Sequence, residues 1–293
     1  MSAARASVTA EIMTVHRATE MLRPQDERVC QDCFAIQFLS QEWVELLKDR
    51  QRLMTLANEG AKKFPGINGA VVARTRFIDE IVLEYVKEGL VQLVILGAGY
   101  DSRAYRIEGI KGNVTVFEMD DPFTQQIKMQ KLITILGEKP GYVKYVPIDF
   151  IKDDLKICLL KNGYDPKRRT LFIMEGLTFY LPAGTVDRIL AFIAEHTGLF
   201  SAVVFDYLPP SVINGTSDRT EVKNFRMDLQ SYGEYLRFGL ESDELATFLA
   251  QRGFKLKNNV NAPDCKDKYF RERSRHREIT PIFWFAHAVV SGL

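Results

Sequence analysis

Leu93-Val94-Ile95-Leu96 runs directly into Gly97-Ala98-Gly99, and no other stretch narrows the choice of fold as far. Consecutive apolar residues suit a strand covered on both faces, because a half-exposed strand would alternate. Glycines straight after such a strand allow a tight turn and let a ligand reach the backbone with no Cβ in between. The run at 91–96 is followed by others of strand length at 114–117, 142–146, 170–174 and 202–205. Helical patterns separate them at 122–136, 153–162 and 184–196, and a further helix is expected from Asp101. That alternation predicts βαβ units, right-handed crossovers and a mostly parallel sheet.

The flanks read differently. Residues 1–90 are expected to form a helical extension, with apolar faces of helical period at 42–57 and 71–85. Pro24 and Phe64-Pro65-Gly66 punctuate it, and Gly89 closes its last helix. Beyond 205, an insertion at 209–239 carries a polar helix at 219–232. A helix at 242–251, a strand at 254–257 and a long strand at 282–290 complete the chain. With no linker, repeat or low-complexity segment, residues 1–293 read as one domain whose α/β core spans 91–293.

Composition excludes several function classes. Lys+Arg 39 against Asp+Glu 38 leaves no cationic surplus for nucleic-acid phosphates. Four cysteines are too few for a disulfide framework and suggest a reducing compartment. Arg5, Glu11, His16, Arg17 and Glu20 interrupt any signal-peptide core within the first twenty residues, and the longest apolar runs are strand-length. The expectation is a cytoplasmic protein with no membrane partner.

Carboxylates mark the ends of successive strands. Asp120, in Val116-Phe117-Glu118-Met119-Asp120, follows Gly99 at the roughly 20-residue spacing at which an acid reaches the two hydroxyls of a ribose. Asp120 and Asp121 also suit the N-cap of the helix at Pro122. Asp149-Phe150 ends the next strand with an acceptor for an exocyclic amine and a face for a purine, or equally with a cap. Glu175 ends the fourth. Open α/β sheets bind ligands at such strand ends. A dinucleotide fingerprint needs a third glycine where Ser102 stands, and Asp101 would repel a pyrophosphate. A ligand bearing an ammonium or sulfonium tolerates that charge, which favours S-adenosylmethionine over NAD.

The stretch Leu96-Gly97-Ala98-Gly99-Tyr100-Asp101-Ser102-Arg103-Ala104-Tyr105-Arg106 resembles the leucine carboxyl methyltransferase family. Further matches are Phe117-Glu118-Met119-Asp120-Asp121-Pro122, Lys128, Pro147-Ile148-Asp149 and Glu175-Gly176-Leu177-Thr178-Phe179-Tyr180. The resemblance runs from about 14 to 205 and implies a class I methyltransferase (Rossmann-like) fold, seven strands with the last antiparallel. It implies S-adenosyl-L-methionine as cofactor and S-adenosyl-L-homocysteine as product. By resemblance, Arg74, assisted by Arg17, holds the cofactor carboxylate. Gly97, Ala98, Gly99, Asp101, Arg103, Glu118, Asp120, Asp149, Phe150 and Glu175 complete the cofactor set. Glu175 and Tyr180 are the catalytic candidates. The family's acidic-Pro-aromatic motif lacks its proline here, at Asp32-Cys33.

Other motifs carry less. Cys30-Gln31-Asp32-Cys33 has no second pair to complete a zinc site, and the four histidines have no ligand spacing, so no metal is expected. The basic stretch 266–278 reads as a solvated segment or as a lid edge that attracts an acidic acceptor. The expected activity is O-methylation of a small-molecule carboxylate or hydroxyl, with the N-terminal helices and the 209–239 insertion covering the site. The alternatives are an NAD(P)-dependent dehydrogenase, a non-catalytic S-adenosylmethionine-binding scaffold, or methylation of a protein C-terminal carboxylate.

Overall fold

A computed structural model describes residues 7–291; Arg5 and the rest of residues 1–6, with 292–293, lie outside the described residues. The chain opens with α1 (Val8–Met21), α2 (Gln41–Lys48), α3 (Arg50–Lys63) and α4 (Ile67–Lys87). It then alternates β1 (Gln92–Leu96), α5 (Arg103–Arg106), β2 (Thr115–Asp120), α6 (Pro122–Leu136), β3 (Val143–Pro147), α7 (Leu155–Lys161), β4 (Thr170–Met174), α8 (Ala183–Glu195) and β5 (Ala202–Tyr207). The insertion holds α9 (Pro210–Asn214) and α10 (Thr220–Ser231), after which come α11 (Leu245–Ala250), β6 (Phe254–Asn261), α12 (Lys266–Tyr269) and β7 (Trp284–Val290).

The seven strands form one sheet in the order β3-β2-β1-β4-β5-β7-β6. The first five are parallel, and β7 runs antiparallel to both β5 and β6. Both faces are covered, and residue alternation decides which side each strand residue joins. Leu93, Ile95, Leu171, Ile173 and Val204 meet Val72, Phe77, Ile78, Ile81 and Val82 of α4. Val94, Leu96, Phe172, Met174 and Val203 meet Val186, Ile189, Leu190 and Ile193 of α8. Each such fully buried aliphatic side chain stabilises the fold by about 1.5–3 kcal/mol.

The chain reverses direction across the sheet between β1 and β4, so their carboxyl ends open a crevice. Registers of Leu96 with Met119 and Ile95 with Ile173 bring Gly97, Asp120 and Glu175 to one edge.

Three expectations are corrected. The helix at 42–57 is two helices, because Asp49 is extended (φ −89°, ψ 91°) and its side chain caps α3 by accepting the Arg52 N–H. The helix after Asp101 is a single turn, Arg103–Arg106, stopped by extended Ile107. The strand at 254–257 runs on to Asn261 past an irregularity at Leu256/Asn258, as an edge strand whose polar residues face outward.

Candidate functional site

The crevice floor is the glycine loop. Gly97 (φ +69°) and Gly99 (φ +40°) take left-handed backbone that a side chain would strain. Gly97 and Ala98 donate their N–H groups to the Met119 carbonyl at 2.8 and 3.0 Å, fastening the loop to β2. The Gly99 N–H points to the Asp120 carboxylate, whose other oxygen accepts the Asp121 N–H at 2.7 Å. Burial raises the Asp120 carboxyl above its usual range, and those two N–H groups offset part of the rise. Asp121, not Asp120, caps α6 through the Phe123 and Thr124 N–H groups.

The rear wall is a chain of buried ion pairs. Arg74, 4% exposed on α4, donates Nε to Glu175 at 2.9 Å and Nη1 to Asp206 at 2.5 Å. Its Nη2, which carries two N–H groups, has no hydrogen-bond partner among the described residues. Arg103 donates to Asp79, Asp101 and Glu175 at 2.7, 2.5 and 2.6 Å. Burial alone would raise the Glu175 carboxyl, but Arg103 and then Arg74 hold it well below the usual range. Asp206 goes the other way: burial raises it, only partly countered by Arg74. Arg17 bridges Asp32 at 2.8 Å and the Tyr100 carbonyl at 2.8 Å, tying α1 to the glycine loop. Asp32 also accepts from Ser102 Oγ at 2.7 Å, and the Arg17 and Arg106 guanidiniums outweigh its burial and lower its pKa.

The roof comes from both ends of the sequence. Ser7 and Thr9, at the start of α1, donate to Glu234 of the insertion at 3.3 and 2.5 Å. Beneath them lies a cavity of about 400 Å³, within the usual size of small-molecule sites. Its far end is aromatic, with Phe179, Tyr180, Phe225, Tyr235 and Phe283, and it includes Arg237.

Arg17, Arg74, Gly97, Ala98, Gly99, Asp101, Arg103, Asp120, Glu175 and Tyr180 all line this one cavity. Glu118, Asp149 and Phe150 do not. Glu118 is buried below it, 2.8 Å from Lys128 Nζ and bonded by Tyr105 Oη at 2.7 Å. The Asp149 carboxylate accepts the Ile151 and Lys152 N–H groups and the Lys152 ammonium within the turn after β3, while Asp154, not Asp149, caps α7, and Phe150 packs on the α8 side of the sheet. Asp101 is neutralised by Arg103, so its charge does less against a phosphate than expected; the single-turn helix does more, since it offers no sustained dipole.

Sequence reasoning missed Asp206, Asp79, Arg106, Glu234 and Arg237. Asp206 was findable, since it ends an apolar strand as Glu175 does. The others sit on helices or loops, where one charged residue looks like any other.

The remaining motifs fall outside the cavity. Cys30 is buried with its thiol pushed up, chiefly by burial, and Cys33 is exposed. Among the described residues no group of three His, Cys, Asp or Glu side chains is placed to hold a metal. The basic stretch 266–278 is mostly solvated, as Lys268, Arg271, Arg273 and Arg275 are exposed, but buried Arg277 grips buried Glu20 with both Nη groups at 2.9 and 2.8 Å. No described helix is long and apolar enough to cross a membrane.

Comparison with known proteins adds a lineage. The family profile described as Leucine carboxyl methyltransferase matches residues 10–194. A Frankia alni protein named "Putative S-adenosyl-L-methionine-dependent methyltransferase" is 33% identical over 266 residues, 87% of this chain and 83% of that one. Among solved structures, a DUF574 family protein from Streptomyces avermitilis superposes with a TM-score of 0.62 at 12% identity, covering 97% of this chain and 98% of the other. A "putative methyltransferase" from Thermobifida fusca gives 0.56 at 15% identity, over 82% and 89%.

Proposed function

This chain belongs to the leucine carboxyl methyltransferase family and is an S-adenosylmethionine-dependent methyltransferase; on that premise we propose that it methylates an oxygen of a small-molecule acceptor. The observation that carries this reading is one half-open cavity lined both by acidic strand ends and by aromatic side chains.

The residues present fit the cofactor. Asp120 is held at the end of β2 by the Gly99 and Asp121 N–H groups, which leaves lone pairs for ribose hydroxyls. Arg74 lines the cavity and keeps the two N–H groups of Nη2 for the cofactor carboxylate, while its Nε and Nη1 are engaged by Glu175 and Asp206. Arg17 assists by fixing α1 against the loop. Ionised Glu175, with further lone-pair sites beyond those its two arginines occupy, suits the cofactor ammonium. Asp149 and Phe150 are not among the residues that line the cavity, although Ile151 beside them is.

Bound S-adenosylmethionine supplies a methyl group activated by its sulfonium charge for in-line displacement by an acceptor oxygen, the C–S electron pair staying on sulfur. The chain's part is to align the acceptor, and the Thr9–Glu234 hydrogen bond joins α1 to the insertion where both line the cavity. Neither catalytic candidate suits proton removal. Glu175 is a weak base because two guanidiniums hold it ionised. Burial, and then the Glu234 charge, raise the Tyr180 phenol well above its ordinary value. A carboxylate acceptor needs no base, and a cavity of about 400 Å³ has the size of a small-molecule site.

A thermal-shift panel tests the reading. At about 100 times its dissociation constant a ligand adds roughly 2.7 kcal/mol, so S-adenosylmethionine and S-adenosylhomocysteine should each raise Tm by several degrees while NAD and NADP do nothing. A shift with the nicotinamides alone would overturn the cofactor layout.

A further inference from the structure

Five arginines line the cavity, and four of them are answered by carboxylates: Arg17 by Asp32, Arg74 by Glu175 and Asp206, Arg103 by three acids, Arg106 by Asp79. Arg237 differs from them: it is exposed at the cavity rim, and its guanidinium has no hydrogen-bond or ion-pair partner among the described residues. The acid nearest in sequence, Glu234, is turned to Ser7 and Thr9. Yet the Arg237 backbone is fixed, since its N–H donates to the Phe179 carbonyl at 2.7 Å. It stands at the aromatic end, where Phe283 lies with ring centroids 6.2 Å from Phe225 and 6.4 Å from Phe179. A cation on a set backbone beside a flat apolar wall is equipped to read two features of a ligand together, a negative group and an aromatic or similarly flat body.

We propose that Arg237 is the specificity-determining residue for the acceptor: it binds the carboxylate of a flat apolar acid and releases the methyl ester. This rests on the methyl-transfer reading above. Transfer joins the methyl carbon to a carboxylate oxygen and breaks its bond to sulfur, with no proton taken or given. The product therefore no longer carries the negative charge that Arg237 holds, while its apolar body is unchanged. Arg237 distinguishes acid from ester by charge alone, and the same loss of charge loosens the product.

The test uses the full chain saturated with S-adenosylhomocysteine, and benzoate, 4-hydroxybenzoate and 2-naphthoate as probes, each beside its methyl ester. At least one acid should raise Tm further, by about 3 °C at tenfold its dissociation constant, and its ester should not. In Arg237→Gln the acid's shift should fall to the ester's level while the shift from S-adenosylhomocysteine stays as in wild type. Arg237→Lys should restore part of the preference. Equal shifts from acid and ester, silence from every acid, or an acid preference that survives in Arg237→Gln would each overturn the proposal. If S-adenosylhomocysteine itself gives wild type no shift, the methyltransferase layout fails first, so the two failures are distinguishable.

Discussion

Arg74 links stability to binding, because Asp206 and Glu175 share its charge. Stripping a buried carboxylate of its only cation costs about 3–5 kcal/mol, so Arg74→Ala is expected to lower stability by that order as well as cofactor affinity. Arg74→Lys separates the two effects: it keeps a cation for Asp206 but loses the branched donor set. Calorimetry should show S-adenosylmethionine binding weakened about tenfold or more, the worth of one hydrogen bond to a charged group, with a smaller fall in Tm than in Arg74→Ala. Wild-type affinity in Arg74→Lys would remove Arg74 from the cofactor site. At this scale the sequence was legible where a residue type had few alternatives, as at Gly97, Gly99 and Asp120. It was not where a charge had many: Asp149, offered as an adenine acceptor or as a helix cap, is held in the turn after β3, and Asp154 caps α7.

Among the elements, β4 and α6 match their expected ranges because unbroken apolar runs and a Pro at the first helical position leave little freedom. Buried α4 starts four residues before its expected range and β2 ends three residues beyond it. Other differences fall on exposed or short elements. The α2–α3 break depends on one aspartate cap, and edge strand β6 owes its length to pairing with β7. α4 shows how an element is held in place by a distant one. The segment around 278–280 crosses its first turn, Thr280 donating its N–H to the Gly66 carbonyl at 3.1 Å, and a Cβ on Gly69 would collide with the Glu278 carbonyl. Gly69→Ala is therefore expected to destabilise by about 1–3 kcal/mol in urea unfolding. An unchanged midpoint would mean that the crossing segment has room to move.

Across the whole molecule, acid stability should report on His287, buried where β7 packs on α4. Tyr85 Oη lies 3.1 Å from its Nε2 and Asn258 Oδ1 lies 3.3 Å from its Nδ1, an arrangement that satisfies a neutral ring protonated on Nδ1. Burial, helped by Lys257, lowers its pKa from 6.5 to about 4. A depressed pKa favours the folded state fully above the unfolded value, and that contribution is lost as pH falls toward the folded value. By pH 5, before unfolded carboxylates protonate, His287 should account for about 2 kcal/mol of lost stability. Denaturant titrations at pH 7.5 and 5 should show His287→Gln losing less than wild type by about that amount; an equal loss in both would assign the acid sensitivity elsewhere.

What the sequence determined by itself is the sheet, the glycine turn and the acids at its edge, because strand periodicity and backbone sterics act over a few neighbouring residues. Tertiary structure alone decided which charges meet. Arg74 with Asp206 pairs helix α4 with strand β5, Arg17 with Asp32 pairs α1 with a loop 15 residues on, and Thr9 with Glu234 pairs α1 with the insertion 225 residues away. Charge at a distance carries no period for a sequence to display, so the pairs, and Arg237 without one, emerge only when the chain has folded.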